Sequence, residues 1–331
     1  MTTVTHQAVQ AKFRWLVLLV SIGFFMQALD TTIVNTAIPA MAIQLNENPL
    51  QMHGVIIAYV LSVAAFIPLS GWLADRFGIR NVYLAAMIIF SLASLGCGLS
   101  QSLDQLLFCR VLQGIGGALL MPVGRLALLK IIPRTQFLSA MSLMSLAGLI
   151  GPLMGPTLGG WLVEFTTWHW IFLINLPMGV LGIIMTLKIM PNHKESTVKS
   201  FDFSGFILLM VAMIGLSLGI ENIAMPQYSG GVSISLLLIG SMAALGYAYH
   251  AHIHQNVLFH GRLFRYKIYS IGILGNFFAR LGSNAIPFIL PLMLQVAFGF
   301  EPFVTGLMMI PMVLGSLFSK PIIRPIIQRV G

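Results

Sequence analysis

The chain has 331 residues, 57% of them hydrophobic and 8% charged, with a formal net charge of +9. A soluble domain carries about 25% charged residues, so this composition excludes one and describes a polytopic all-α membrane protein. The positive balance does not point to nucleic acid, because the 18 Lys and Arg fall in particular loops and build no basic face or aromatic-basic patch.

About twenty apolar residues cross a bilayer. On that measure ten membrane helices are predicted. They are Phe13–Ile38, His53–Leu73, Asn81–Leu99, Leu103–Ile131, Gln136–Val163, Trp168–Met190, Phe203–Glu221, Val232–His250, Ile268–Phe298 and Pro302–Ile323. Loop charges orient them. Lys12 and Arg14 precede helix 1. Arg76, Arg80, Lys130, Arg134, Lys188, Lys194, Lys199, Arg262, Arg265, Lys267, Lys320, Arg324 and Arg329 fall in the even-to-odd connections or after helix 10. The opposite loops, near Glu47, Asp104, Glu164, Glu221 and Glu301, hold no Lys or Arg. The positive-inside rule then places both termini in the cytoplasm.

Helix 1 carries Leu29-Asp30-Thr31-Thr32-Ile33-Val34-Asn35-Thr36-Ala37-Ile38-Pro39. Asp30 is the one acid well inside a span, about 24 Å up from Arg14. Arg110, about 9 Å below Asp104 on the descending helix 4, reaches a similar depth. An ionisable group in the membrane is a functional hypothesis by default. The two are expected to pair, either as a proton-linked switch or as a structural ion pair. Thr31 and Asn35 share a face of helix 1, as Arg110 and Gln113 do on helix 4.

Between helices 2 and 3 lies Gly71-Trp72-Leu73-Ala74-Asp75-Arg76-Phe77-Gly78-Ile79-Arg80. Charges are expensive in hydrocarbon, so this is a tight turn at the membrane surface. Gly71 is expected to let two backbones approach, and Gly78 to take a positive φ. Asp75 is expected to face a helix N-terminus and to pair with an Arg. Helix 4 continues through Gly114, Gly116 and Gly117. Helix 5 carries Gly148, Gly151-Pro152, Gly155-Pro156 and Gly159-Gly160, a small-residue stripe with two proline kinks.

The rest of the chain carries weaker signals. Arg125 on helix 4 is expected to snorkel to the cytoplasmic surface. His250, His252 and His254 read as an interfacial helix end, with a metal site as the minor alternative. Asn276, Arg280 and Asn284 form one polar stripe on helix 9, lining a substrate cavity or bonding to a neighbouring helix. Cys97 and Cys109 read as small buried side chains. No nucleophile-base pair, metal set or phosphate-cradling loop is visible, so no covalent chemistry, cofactor or ATP use is expected.

The G-x-L-A-D-R-x-G-x-R turn resembles the signature of the major facilitator superfamily. Within it, L-D-x-T-I-V-N-x-A-x-P at Leu29–Pro39, the helix 4 and helix 5 glycine motifs, and Trp168-His169-Trp170-Ile171-Phe172-Leu173-Ile174-Asn175-Leu176-Pro177-Met178-Gly179 are similar to the fourteen-helix drug:proton antiporter family of the EmrB/QacA type. Asp202-Phe203-Ser204-Gly205 fits the same family.

The resemblance implies a multi-pass inner-membrane exporter of small amphipathic compounds, driven by inward proton flow and working by alternating access. An exporter of one metabolite or chelator is the alternative, and whether a periplasmic adaptor takes part is left open. Asp30 and Arg110 would couple protons. Asn35, Gln113, Asn276, Arg280 and Asn284 would line the substrate cavity. Gly71, Asp75, Arg76, Gly78, Arg80, Gly151, Pro152, Gly155, Pro156 and Gly159 would govern gating.

The implied organisation is a six-helix bundle over residues 1–190, a cytoplasmic loop at 191–202, and two extra linker helices at 203–250. Residues 251–331 would supply a loop and the first two helices of a second bundle. Ile327-Gln328-Arg329-Val330-Gly331 echoes Ala74-Asp75-Arg76-Phe77-Gly78, as a parallel repeat requires. The family's last four helices are absent, so a C-terminally truncated, non-transporting product is a further alternative.

Overall fold

Helix follows helix because almost every segment between charged turns is apolar, and in lipid the backbone satisfies its polar groups within a helix. The computed structural model describes residues 2–48, 51–198, 200–224, 230–259 and 261–300, together with positions 304, 308, 311, 314 and 315. The helices are α1 (Thr2–Ile33), α2 (Ile38–Leu45), α3 (His53–Phe66), α4 (Leu69–Phe77), α5 (Ile79–Gly98) and α6 (Leu103–Ile131). Then come α7 (Arg134–Phe165), α8 (Trp170–Leu173), α9 (Asn175–Ile189), α10 (Phe203–Ala224), α11 (Gly230–Ile253) and α12 (Lys267–Leu292). Among the described residues seven helical stretches are long and apolar enough to cross a membrane, and an eighth span arises if α3 and α4 count as one. The helix expected at Ile268–Phe298 is present as α12 but is not among those stretches. Most of the one expected at Pro302–Ile323 lies outside the described residues.

Three expected helices are interrupted, each beside a proline, which has no N–H to donate and crowds the carbonyl four residues back. The first span tightens into a 3₁₀ turn at Val34–Ala37 before Pro39, which opens α2. The second bends by 58° between α3 and α4, with Pro68 at the start of α4. The sixth breaks at Ile174, immediately ahead of the first turn of α9, which holds Pro177. By contrast α7 runs as one helix through Pro152 and Pro156, so the expected kinks do not break it.

The core is in two parts. Leu19, Val20, Tyr83, Met87, Phe90, Leu120, Val123 and Leu128 form one apolar cluster. Leu29, Ile33, Val34, Met41, Val55, Cys97, Leu106, Trp168 and Phe172 form the other. α1 packs along α7, α5 along α6, and α3 against α6. Gly151, Gly155 and Gly159 seat α7 on α1. A side chain there would meet the Leu29 N at 2.8 Å, the Ile33 N at 3.1 Å and the Ile33 O at 2.7 Å respectively. The expected stripe is therefore a close helix contact. Gly160 and Gly71 face open space. Among the described residues the close approach expected at Gly71 does not occur, and α4 bends away from the α3 axis there and leaves that glycine exposed.

α10 and α11 pair with each other, and α10 leans on α3 through an edge-on contact of Phe66 with Phe206, their centroids 6.0 Å apart. Asp202 caps α10 by accepting from the Gly205 N–H at 2.9 Å. The same carboxylate bonds His250 Nε2 at 2.8 Å, tying the end of α11 to the start of α10.

Candidate functional site

Between the two apolar clusters lies a layer of fully buried polar groups. Asp30 of α1 is 0% exposed and Arg110 of α6 is 1% exposed. Arg110 Nη1 donates to Asp30 Oδ2 at 2.6 Å and to Gln113 Oε1 at 2.8 Å, and its Nε donates to the Val55 carbonyl at 3.1 Å. Gln113 Nε2 donates to Asp30 Oδ1 at 2.8 Å and to Ser94 Oγ at 3.1 Å. Asn175 Nδ2 donates to the same Asp30 oxygen at 3.2 Å and to Ser94 Oγ at 3.1 Å. The Ser94 hydroxyl in turn donates to the Phe172 carbonyl at 3.0 Å. The guanidinium lies over the Tyr59 ring, 4.2 Å from its centroid.

The depth match between Asp30 and Arg110 therefore holds as contact. A buried charge pair persists only when its remaining hydrogen-bonding positions are filled, and here side chains from α1, α5, α6 and α9 and a carbonyl of α3 fill them. Ser94, Asn175 and Tyr59 were not singled out from sequence. Asn175 stood inside the Trp168–Gly179 motif, which was a signal of sorts. Ser94 and Tyr59 look like any helix residue until the fold brings them in. Gln113 was expected in a substrate cavity but is fully buried in this network, because the three-residue offset that aligns it with Arg110 also turns it towards Asp30. Asn35 is exposed, in the turn that follows α1.

At the far end of α4, Gly78 has φ +91°, as expected of a chain reversal where a side chain would strain the backbone. Among the described residues Asp75 pairs with Lys130 and with no Arg. Its Oδ1 lies 3.4 Å from Lys130 Nζ, which also binds Glu195 Oε1 at 2.6 Å. The 191–198 segment is laid across this turn by two backbone bonds, Ile79 N to the His193 carbonyl at 3.0 Å and Glu195 N to the Asp75 carbonyl at 3.4 Å. The Lys130 ammonium holds the Glu195 carboxyl below its ordinary range. Arg76 is exposed and Arg80 partly so.

The remaining expectations divide. His250 stacks on His254, their rings 4.2 Å apart, and among the described residues no three metal-ligating side chains gather. Arg125 does not snorkel freely. It is partly buried, with its guanidinium 5.9 Å from the centroid of the Phe24 ring. Asn276 and Arg280 are exposed, and Arg280 Nε approaches Asn276 Oδ1 at 3.4 Å. The Asn284 side chain lies outside the described residues.

A paired charge sealed between five membrane segments, beside a glycine-mediated helix seam, is the arrangement of a secondary transporter. Residues 20–331 match the family described as the Major Facilitator Superfamily, and the chain belongs to it. It is a multi-pass membrane transporter, not an enzyme. Among its relatives is a protein of Pectobacterium atrosepticum named multidrug resistance protein MdtD. The two are 51% identical over 324 residues, which are 97% of this chain and 69% of the relative. A protein of the same name from Escherichia coli O6:H1 is 50% identical over 318 residues, 96% of this chain and 67% of that one. The chain thus spans about two thirds of the length of these relatives. The solved proton:xylose symporter XylE superposes with a TM-score of 0.62 at 14% identity, over 92% of this chain and 67% of that one. The POT family transporter PepTSo gives 0.61 at 16% identity, over 97% and 70%. At these identities the solved structures bear on the fold alone.

Proposed function

We propose that this protein exports small amphipathic compounds across the inner membrane in exchange for protons, with Asp30 as the proton-carrying group and both termini cytoplasmic. One observation carries the reading. The chain's only acid deep in the first bundle is fully buried, and its charged and amide partners, Arg110, Gln113 and Asn175, come from two other helices, α6 and α9. When ionised, Asp30 binds Arg110, Gln113 and Asn175 together. A proton on Asp30 cancels the charge that holds Arg110, and the Gln113 and Asn175 amides then lose a strong acceptor. The equilibrium between closed and open packings shifts by that difference alone. No cofactor enters, and the proton gradient supplies the energy. The seam of Gly151, Gly155 and Gly159 against α1, with Pro152 and Pro156 beside it, lets α1 slide on α7. Asp75, Lys130 and Glu195 latch the turn at Gly78, with Arg76 and Arg80 flanking it. The names of the MdtD relatives support the substrate class.

The test is transport in proteoliposomes under an imposed pH gradient. Asp30→Asn mimics the protonated state and is expected to abolish gradient-driven export while leaving substrate binding intact. Asp30→Glu is expected to keep part of the activity. Undiminished coupled export by Asp30→Asn would refute the assignment and leave the pair a structural one.

A further inference from the structure

α1 and α7 run side by side in the same direction. A side chain on Gly148 would meet the Phe24 ring, one on Gly151 the Leu29 N at 2.8 Å, and one on Gly155 the Ile33 N at 3.1 Å, so each turn of α7 meets the next turn of α1. Ahead of Gly148 the glycine stripe ends, since positions 134–147 hold none. There the two helices leave between them a cavity of about 390 Å³, a size that holds a small ligand. It opens outward, because Arg14, Ser139 and Leu143 in its wall are exposed. Neither the Asp30 network nor the turn at Gly78 uses it.

The lining is graded with depth. Arg14 of α1 and Gln136 and Ser139 of α7 supply the polar groups, and Val17, Ala140 and Leu143 an apolar wall. On both helices the apolar part lies further into the span. Val17 is about 5 Å beyond Arg14, and Leu143 about 10 Å beyond Gln136. Leu143 is 52% exposed on a helix long and apolar enough to cross a membrane.

The polar end carries a charge that the chain does not answer. Among the described residues Arg14 makes no ion pair, since Asp30 is bound to Arg110, Asp75 and Glu195 share Lys130, and Asp202 is bound to His250. Residues 1–12 contain no Asp or Glu. Glu47, Asp104, Glu164 and Glu221 lie towards the other ends of their helices, and Glu301 lies outside the described residues. Water can solvate the guanidinium, but it gains nothing against the apolar wall. A free anion likewise leaves that wall bare. The occupant that satisfies both parts has an anionic head at the membrane surface and an apolar tail directed into the hydrocarbon.

We infer that this cavity seats one anionic phospholipid, with its phosphate on Arg14, its head group on Gln136 and Ser139, and one acyl chain along Val17, Ala140 and Leu143. A guanidinium gives a phosphate a forked pair of hydrogen bonds, and basic pockets between membrane helices on the cytoplasmic side suit acidic lipids. The lipid fills the gap where the glycine seam ends and joins α1 to α7 there. The site needs a bilayer and not transport, so it stands apart from the export reading.

The experiment is native mass spectrometry of the purified chain in non-ionic detergent micelles, titrated with lipid. The probes are dioleoyl-phosphatidylglycerol and dioleoylglycerol, which share both acyl chains and differ by the charged phosphate. The wild type is expected to bind one phosphatidylglycerol at least about tenfold more tightly than dioleoylglycerol. Arg14→Gln is expected to remove that preference while dioleoylglycerol binds as before, which also shows that the variant is folded. Arg134→Gln, which removes an exposed charge of α7 outside the cavity, is expected to keep it. If Arg14→Gln loses both lipids, Arg14→Lys decides: a retained preference supports the site, and its loss overturns the inference. Glycerol 3-phosphate at the same concentration is expected to leave the lipid bound, and displacement by it would show a free-phosphate site and overturn the lipid assignment. Equal binding of the two lipids by the wild type, binding of neither, a preference that survives Arg14→Gln, or an equal loss in Arg134→Gln would overturn it as well.

Discussion

Replacing Arg110 by Met removes the bonds to Asp30 at 2.6 Å, Gln113 at 2.8 Å and the Val55 carbonyl at 3.1 Å in one step. It leaves a fully buried carboxylate with two amide donors and no counter-charge. Breaking a buried pair from one side costs about 3–5 kcal/mol. Replacing Asp30 by Leu strands the guanidinium instead, and the cost should be of the same order. The double replacement removes both charges. Gln113 and Asn175 then keep Ser94 Oγ as an acceptor, so the remaining penalty is that of partly satisfied amides, about 1–3 kcal/mol. The double variant should therefore be more stable than either single one, with a coupling of at least about 3 kcal/mol. Unfolding in mixed micelles, titrated with denaturing detergent, measures all four corners of the cycle. Additivity to within about 0.5 kcal/mol would refute the argument that the pair is a desolvated unit.

The glycine seam should be selective. Gly155→Val meets the Ile33 backbone and should lower stability by about 1–3 kcal/mol, whereas Gly160→Ala and Gly71→Ala, both facing open space, should match wild type in accumulation and thermal stability. Glu195 has its pKa lowered by Lys130, so its hold on the turn is complete above the ordinary value of 4.5 and is lost as pH falls through the lower, folded value. Protease cleavage of the 191–198 segment should accordingly rise only in strong acid for the wild type, but already at neutral pH for Glu195→Gln; equal cleavage of the two proteins at pH 7 would count against the latch. For orientation, Gln101→Cys and Thr197→Cys, made after Cys97 and Cys109 are replaced, should react with an impermeant thiol reagent from the periplasmic and the cytoplasmic side respectively. Labelling of both from one side would overturn the topology.

What the sequence by itself determined was whatever the bilayer forbids. Water-free hydrocarbon excludes charge, so runs of apolar residues and their charged breaks set the helices, and the ends of α6 agree with the reading to the residue. The same exclusion left Asp30 and Arg110 as rare charges inside spans. Depth, a one-dimensional quantity countable along each helix, was enough to pair them across 80 positions. The glycine spacing on α7 likewise announced a close helix contact before its partner was known.

Tertiary structure decided what depth cannot encode. Which way a helix is rotated, and which neighbour it meets, made Gln113 a buried ligand of Asp30 and not a cavity residue, and it brought Ser94 and Asn175 to the same carboxylate. At the membrane surface charges are cheap, so the sequence offered several basic side chains there, and the partner expected for Asp75 was an Arg. Only the meeting of the α6 end with the α4 turn selected Lys130, and only the path of the following segment added Glu195. The bend at Pro68 left no described atom within 4 Å of where a side chain on Gly71 would begin, because the neighbour a glycine meets depends on the helix axis as well as on the residue.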